Sequence, residues 1–260
     1  MTASSIVMEV IGPVATITIN RPDRMNAIDP DAAQQMIDAL DQAVALGARA
    51  LKLTGEGRGF CSGADLADVG GDGFKNEIEG LLDKIYNPLI RALSQLPIPW
   101  VAAVNGPAVG FGCSLALQSD LVVAGKSAYF TQSFTNLGLV PDGGGSWILP
   151  RLVGLPRAAE MILLGERVPA EKAASWGLIH SVVDDSQVQA TAGNLVERLA
   201  NGPTMALGLA RRLLRDGLER NLDQSLDAER DGQVAAANSA DAVEGVMALI
   251  EKRQPNFSGR

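Results

Sequence analysis

Two glycine-rich turns and one aspartate are the places where this sequence could do chemistry. The turns, 55–63 and 105–112, each follow a short apolar run, so their backbone N–H groups gather beyond the end of a buried strand. Glycine there permits unusual backbone angles and the close approach of a ligand. Asp142 stands between Pro141 and the run Gly143-Gly144-Gly145-Ser146-Trp147. An aspartate before glycine commonly turns or caps a chain. In an apolar pocket, with Phe134, Leu139 and Trp147 as candidate walls, desolvation would raise its pKa and make it a better base. Both readings stay open at this point. Other chemistry has little to work with. There is one histidine, His180, and no cluster with metal-ligand spacing, so neither a Ser-His-Asp triad nor a resident metal is expected. Cys61 and Cys113 read as small buried side chains.

The elements that must position these residues form an α/β pattern. Residues 6–11 and 14–19 read as a hairpin broken at Gly12-Pro13. A helix follows, with Asp29 as N-cap, Pro30 in the first position, and Met36, Ile37, Leu40, Ala43 and Val44 on one face until Gly47. Buried strands are expected at 48–53 and 100–104, with a helix over 81–96 between them. A short helix from 112 to 118 and short strands at 121–124 and 128–130 come next. Beyond about residue 187 the pattern is helical, with Pro203 starting one helix and Ser239 capping the last. The expected division is a core of residues 1–190 and a helical region of residues 191–260.

The chain has 260 residues, 47% of them hydrophobic, enough for a sizeable core. Its formal charge of −8 argues against nonspecific binding to nucleic acid or a membrane surface. It leaves room for a small anionic ligand held by a few cations and backbone N–H groups. The apolar runs are too short to cross a bilayer, and the start MTASSIVMEV lacks a basic stretch before an apolar one, so a cytoplasmic protein is expected.

Three motifs carry a resemblance. They are Arg21-Pro22-Asp23-Arg24-Met25-Asn26-Ala27, Gly59-Phe60-Cys61-Ser62-Gly63-Ala64-Asp65-Leu66, and Val104-Asn105-Gly106-Pro107-Ala108-Val109-Gly110-Phe111-Gly112-Cys113 followed by Ser114-Leu115-Ala116 and Asp120. In this order they resemble the crotonase (enoyl-CoA hydratase/isomerase) superfamily, and the likeness continues through Leu137-Gly138-Leu139-Val140-Pro141 and Trp176-Gly177-Leu178-Ile179. The resemblance implies a spiral of repeated ββα units with a helical C-terminal oligomerisation region, giving a homotrimer or a hexamer of paired trimers. It implies a CoA thioester as substrate and no separate cofactor. It assigns the two N–H donors that hold a thioester enolate to Ala64 and Phe111. Such donors must converge about 3 Å from the oxyanion, which Gly63, Gly110 and Gly112 make possible.

The reaction is a finer question. Hydratases of the superfamily use two glutamates, whose places fall here on Ser114 and Phe134. Neither can act as a carboxylate. Asp142 falls where some enoyl-CoA isomerases of the superfamily carry a single acid/base. Tyr86-Asn87-Pro88-Leu89, residues 138–145, the stretch Leu226-Asp227-Ala228-Glu229-Arg230-Asp231, Glu244-Gly245-Val246, Lys252-Arg253 and Phe257-Ser258-Gly259-Arg260 resemble the phenylacetate-catabolic isomerase branch. The implied activity is isomerisation of a 3-enoyl-CoA or of ring-epoxidised phenylacetyl-CoA. The alternatives are an atypical hydratase, a hydrolase or dehalogenase with a nucleophile, and a non-catalytic CoA-binding or RNA-binding relative. Substrate contacts are expected from Arg24, Met25, Ala27, Ser62, Gly63, Asp65, Leu66, Gly110, Gly112 and Phe134. Arg24 is the first candidate for the CoA phosphates. Lys252 and Phe257 would come from a neighbouring subunit. Asp65 is expected to brace the oxyanion loop, and His180 to be structural.

Overall fold

A computed structural model of the chain describes residues 4–65 and 72–260. The opening hairpin pairs β1 (Ile6–Ile11) antiparallel to β2 (Val14–Ile19), with Gly12 at positive φ in the two-residue turn. Helix α1 (Pro30–Ala45) starts as its sequence requires: the Asp29 carboxylate accepts the Ala32 N–H at 2.7 Å, and Pro30 occupies the first turn. Met36, Leu40 and Ala43 are buried, while Ile37 and Val44 pack half-buried beside them. Strand β3 (Ala50–Gly55) follows, then α2 (Asp72–Leu81) and α3 (Asn87–Gln95). A π-helical turn at Leu82–Tyr86 joins these two helices, where the periodicity predicts one continuous helix from residue 81. Such turns are rare and often mark functional sites.

Next come β4 (Trp100–Val104), β5 (Ala108–Val109), α4 (Phe111–Leu117), β6 (Leu121–Gly125) and β7 (Tyr129–Thr131). Helix α5 (Gly145–Ala159) is broken at Gly154 and leads to β8 (Val168–Pro169), α6 (Ala170–Ser175) and β9 (Ser181–Val183). The large sheet runs β1-β2-β3-β4-β6-β9 and is parallel from β2 onward. The small sheet runs β5-β7-β8, and an isolated parallel bridge joins Cys61 to Ala108 at its edge. Two windings, β4 with β5 and β6 with β7, each give one strand to each sheet before a helix follows, and the bridge at Cys61 makes the turn after β3 a shorter version of the same unit. That is the ββα spiral.

Side chains alternate along the large sheet, and from β3 to β6 both faces are covered, while β1 leaves Val7 and Ile11 exposed on one face. Ile17, Leu51, Leu53, Ala102, Val104, Val122 and Ala124 face the main core with Met36, Leu40 and Leu89. Ala50, Val101, Ala103 and Val123 face the other way, onto Val188, Ala192, Val196 and Ala200 of α7 (Val188–Ala200). A parallel sheet covered on both faces reads as unbroken apolar runs, as this sequence does. Helix α7 therefore packs on the sheet, although most of it lies past residue 190.

Helices α8 (Thr204–Gly217), α9 (Leu222–Ala237) and α10 (Ala240–Glu251) follow, and Ser239 caps α10 by accepting the Ala242 N–H. Arg211 fastens α8 to the core. Its guanidinium meets Asp120 at 2.8 Å and donates to the carbonyls of Leu93, Ser94 and Leu96, which α3 leaves unpaired at its C-terminus. No helix among the described residues is long and apolar enough to cross a membrane.

Candidate active site

The loop after β3 and the loop after β4 meet at the ends of their strands. Cys61 N–H donates to Pro107 O and Val109 N–H to Cys61 O, so the first loop runs as an extra strand beside β5. On its other side Ile28 N–H donates to Gly63 O, and Asp65 N–H donates to Ile28 O. In this parallel pairing the N–H between them, on Ala64, turns away from Ile28. Among the described residues, neither the Ala64 nor the Phe111 N–H has a protein acceptor. Gly63 brings the two segments together: at φ +112° a Cβ there would lie 3.1 Å from Val109 O and 3.7 Å from Phe111 N. Any larger residue would be strained and would crowd the second donor.

Several side chains brace this loop from below. Arg21 pairs with Asp29 at 2.7 Å and Asp65 at 2.9 Å, and also donates to Ala27 O. Asp65 is thus tied to Arg21 by its side chain. Asn26, fully buried at positive φ, accepts the Arg21 N–H and donates to the carbonyls of Glu56 and Gly59. Arg21 and Asn26 lie inside the first sequence motif. Their bracing role could not be read from residue type alone, because it depends on strands far apart in the chain.

The two free segments open into a cavity lined by Ser62, Gly63, Ala64, Gly110 and Phe111 on one side. Ile78, Leu81, Leu82 and Tyr86 from α2 and the π-helical turn, with Phe134, Leu137 and Leu139, make the apolar walls. Tyr86, like Ile78, Leu81, Leu82 and Leu137, is a wall residue the sequence reading did not place. Its ring lies 4.9 Å from that of Phe111, and its hydroxyl donates to Ile28 O at 2.9 Å. Tyr86 therefore both lines the cavity and ties α2–α3 to the segment that orients Ala64.

Asp142 is the one carboxylate among the described residues lining this cavity. Its side chain caps no helix: the residue preceding α5 is Gly144, and no side-chain bond closes that end. The turn is made instead by the Asp142 carbonyl, which accepts the Gly145 N–H. Oδ1 is buried with no hydrogen-bond partner among the described residues. Burial alone pushes the carboxyl up from 3.8 to about 6.

The other sequence expectations divide. Ser62, Gly63, Gly110 and Phe134 line the cavity with Ala64, Phe111 and Asp142. Gly112 lies behind them, and a Cβ there would stand 2.2 Å from Cys61 O. Ala27 is buried under Arg21, and the Met25 carbonyl accepts the Ser62 N–H. Arg24 is exposed, and its carbonyl accepts the Ser62 hydroxyl, which puts it beside a cavity-lining residue. Leu66 lies outside the described residues. Lys252 closes α10, while Phe257 packs near Gly245 and its carbonyl accepts from Arg49, ahead of β3 at the end remote from the loop that carries Ala64. Any part they take in this cavity requires a second copy of the chain. Trp147 is a correction. Its indole donates to Glu219 and stacks on Arg151, facing away from Asp142, because α5 turns that position toward α8. His180 is exposed. Cys61 and Cys113 are buried, free and pushed up to about 12 by burial, so neither is a ready nucleophile.

The sequence model of the family described as "Enoyl-CoA hydratase/isomerase" matches residues 9–260. The chain belongs to this family. Over 250 residues it is 44% identical to the 1,2-epoxyphenylacetyl-CoA isomerase of Escherichia coli (strain K12), covering 95% of each chain. It is 34% identical to the 2,3-dehydroadipyl-CoA hydratase of the same organism, over 95% of this chain and 96% of that one. Among solved structures, the enoyl-CoA hydratase from Bacillus anthracis superposes with a TM-score of 0.93 at 30% identity, covering 99% of this chain and all of that one. This hydratase/isomerase family member therefore has the crotonase fold, and its relatives include both isomerases and hydratases.

In this family member the lone carboxylate has a consequence for stability. The raised pKa means that the folded state keeps a proton the unfolded chain releases between pH 3.8 and about 6. Stability therefore falls as pH rises through that window, and the full penalty applies above it. Asp142→Asn is expected to be more stable than the parent at about pH 8, on the order of 1–3 kcal/mol. The gain should vanish below about pH 3, where both states hold the proton. Thermal melts of both proteins at the two pH values check this.

Proposed function

We propose that this member of the family is an enoyl-CoA isomerase using Asp142 as its single acid/base. One observation carries the reading. Among the described residues the cavity is lined by one carboxylate, Asp142, while the places of the two hydratase glutamates are filled by Ser114 and Phe134. Phe134 is an apolar wall, and Ser114 is fully buried and spends its proton on the Asp142 carbonyl.

In the proposed reaction the thioester carbonyl oxygen accepts from the Ala64 and Phe111 N–H groups. Asp142 removes a proton from the carbon next to that carbonyl, and the electrons delocalise onto the oxygen and along the conjugated chain. The two N–H donors stabilise the resulting dienolate. The protonated Asp142 then returns the proton farther along, moving the double bond without adding water. Hydration needs a second group to orient a water. Isomerisation needs one shuttle on one face of the substrate, in an apolar site that keeps the carboxylate basic.

The same cavity and the similar isomerase support one substrate class: a 3-enoyl-CoA, or the CoA thioester of a ring-epoxidised phenylacetate, isomerised to its oxepin form. The rings of Tyr86, Phe111 and Phe134 would suit a planar conjugated acyl group. Coenzyme A would enter as part of the substrate, with no separate cofactor, and Arg24, exposed beside Ser62, would meet a phosphate. The protein would act in the cytoplasm as a homotrimer or a dimer of trimers, its assembly covering exposed apolar residues on α8–α10 such as Leu214, Leu222, Val246 and Ile250.

Proton exchange tests this reading. A saturated acyl-CoA incubated with enzyme in deuterium oxide is expected to gain label at the carbon next to the carbonyl, and Asp142→Asn to abolish the gain. Exchange at the same rate in both proteins would refute the assigned base.

A further inference from the structure

Among the described residues Asp142 makes no side-chain bond that fixes its direction, so its carboxylate is only as well placed as the backbone that carries it. That backbone rests on α4. Ser114 and Gln118 are four residues apart and so lie on one face of the helix. Ser114 Oγ donates to Asp142 O at 2.9 Å, and Gln118 Nε2 donates to Gly143 O at 3.3 Å. Both side chains are almost wholly buried, at 0% and 2% exposure.

Each is itself held. Gln132 Nε2 donates to Ser114 Oγ at 3.2 Å, and Arg215 Nη1 of α8 donates to Gln118 Oε1 at 3.2 Å. The loop lies flush on these two residues. A Cβ at Gly143 would stand 2.9 Å from Ser114 Cβ, one at Gly144 2.8 Å from Gln118 Nε2, and one at Gly145 2.8 Å from Ser114 Oγ. The triple glycine therefore lets the loop approach α4 closely enough for both bonds. The same helix begins at Phe111, whose N–H is one of the two free donors.

We propose that Ser114 and Gln118 are positioning residues that set the Asp142 carboxylate at a fixed distance from the oxyanion donors, with α4 as the common support. This rests on the isomerase reading above. It also gives α8 an input to the site, since Arg215 orients the amide of Gln118 that holds Gly143.

The test uses Ser114→Ala and Gln118→Met in the full-length protein, with Asp142→Asn alongside, and measures kcat, KM, the pH profile and Tm. Either positioning variant is expected to lose about 10- to 100-fold in kcat for 3-enoyl-CoA isomerisation, because a misplacement on the order of 1 Å costs that much. KM should stay within about threefold, since the acyl walls and both N–H donors remain. The acidic limb of the kcat profile should move to lower pH as water reaches the loosened carboxylate. Tyr86, on the turn 82–86, is the titratable group whose charge Asp142 opposes, with Asp29, Asp65 and Cys61 around it. Arg215 and Asp120 lie beyond Gln118, and Cys113 beside Gln132. All of these are unchanged in the variants, so a moved limb reports Asp142. Folded variants with parental kcat and an unmoved limb would overturn the proposal, as would a loss of kcat matched by lost folded protein. If Asp142→Asn itself isomerises normally, the acid/base reading fails first. If Asp142→Asn is inactive while Ser114→Ala and Gln118→Met behave as the parent, only the positioning role fails.

Discussion

Asp142→Asn is expected to bind acyl-CoA as the parent does and to isomerise it about 10²- to 10⁴-fold more slowly, the range over which a positioned general base acts. The size of the loss follows from isolation. Among the described residues no second carboxylate lines the cavity to assume the proton transfer. Tyr86 cannot: burial, with the negative charge of Asp142 as a further cause, pushes its phenol up from 10.0, and its hydroxyl is engaged by Ile28 O. In the parent, kcat/KM should rise with pH through about 6, because Asp142 must be deprotonated to accept the substrate proton and burial holds it protonated below that in the free protein. An ordinary aspartate would place this rise near 4. A pH–rate profile of the parent and a single-pH comparison with Asp142→Asn measure both effects.

Gly112→Ala should lose about 10²- to 10³-fold in kcat, comparable to removing one oxyanion donor. The reason is steric. The added methyl would lie 2.2 Å from Cys61 O, which is backbone and cannot swing aside. Relief requires α4 to move away from the loop that carries Ala64, and Phe111, the first residue of α4, moves with it. The two N–H donors then no longer converge. Tm is expected to fall as well, so kcat is compared on folded protein, with KM for a saturated acyl-CoA analogue as the control for binding.

Local patterns with a single physical meaning were legible in the sequence. The hairpin over 6–19, the Asp29 cap and Pro30 start, the strand at 100–104 and the Ser239 cap all appear in the structure, because each depends on neighbouring residues only. The Ala64 and Phe111 segments could be named from glycine spacing and resemblance together, and the structure brings both to one cavity with Asp142. Side-chain direction was not legible. Trp147 follows Asp142 by five residues, yet it packs toward Glu219, because the intervening glycines and the start of α5 rotate it away. Tyr86 reads as an ordinary helix residue until the π-helical turn places its ring against Phe111. Gln118 and Arg215 are polar residues on two helices, and only tertiary packing shows that they form a chain ending at Gly143.

The central claim is that this member of the family moves a double bond instead of adding water across it. The most direct measurement follows 3-enoyl-CoA isomerisation and 2-enoyl-CoA hydration spectrophotometrically, side by side, on the parent and on Asp142→Ala. Rapid isomerisation by the parent, slow hydration, and loss of isomerisation in Asp142→Ala are the predicted results. Rapid hydration of crotonyl-CoA by the parent with no turnover of 3-enoyl-CoA, persisting in Asp142→Ala, would contradict it and identify an atypical hydratase.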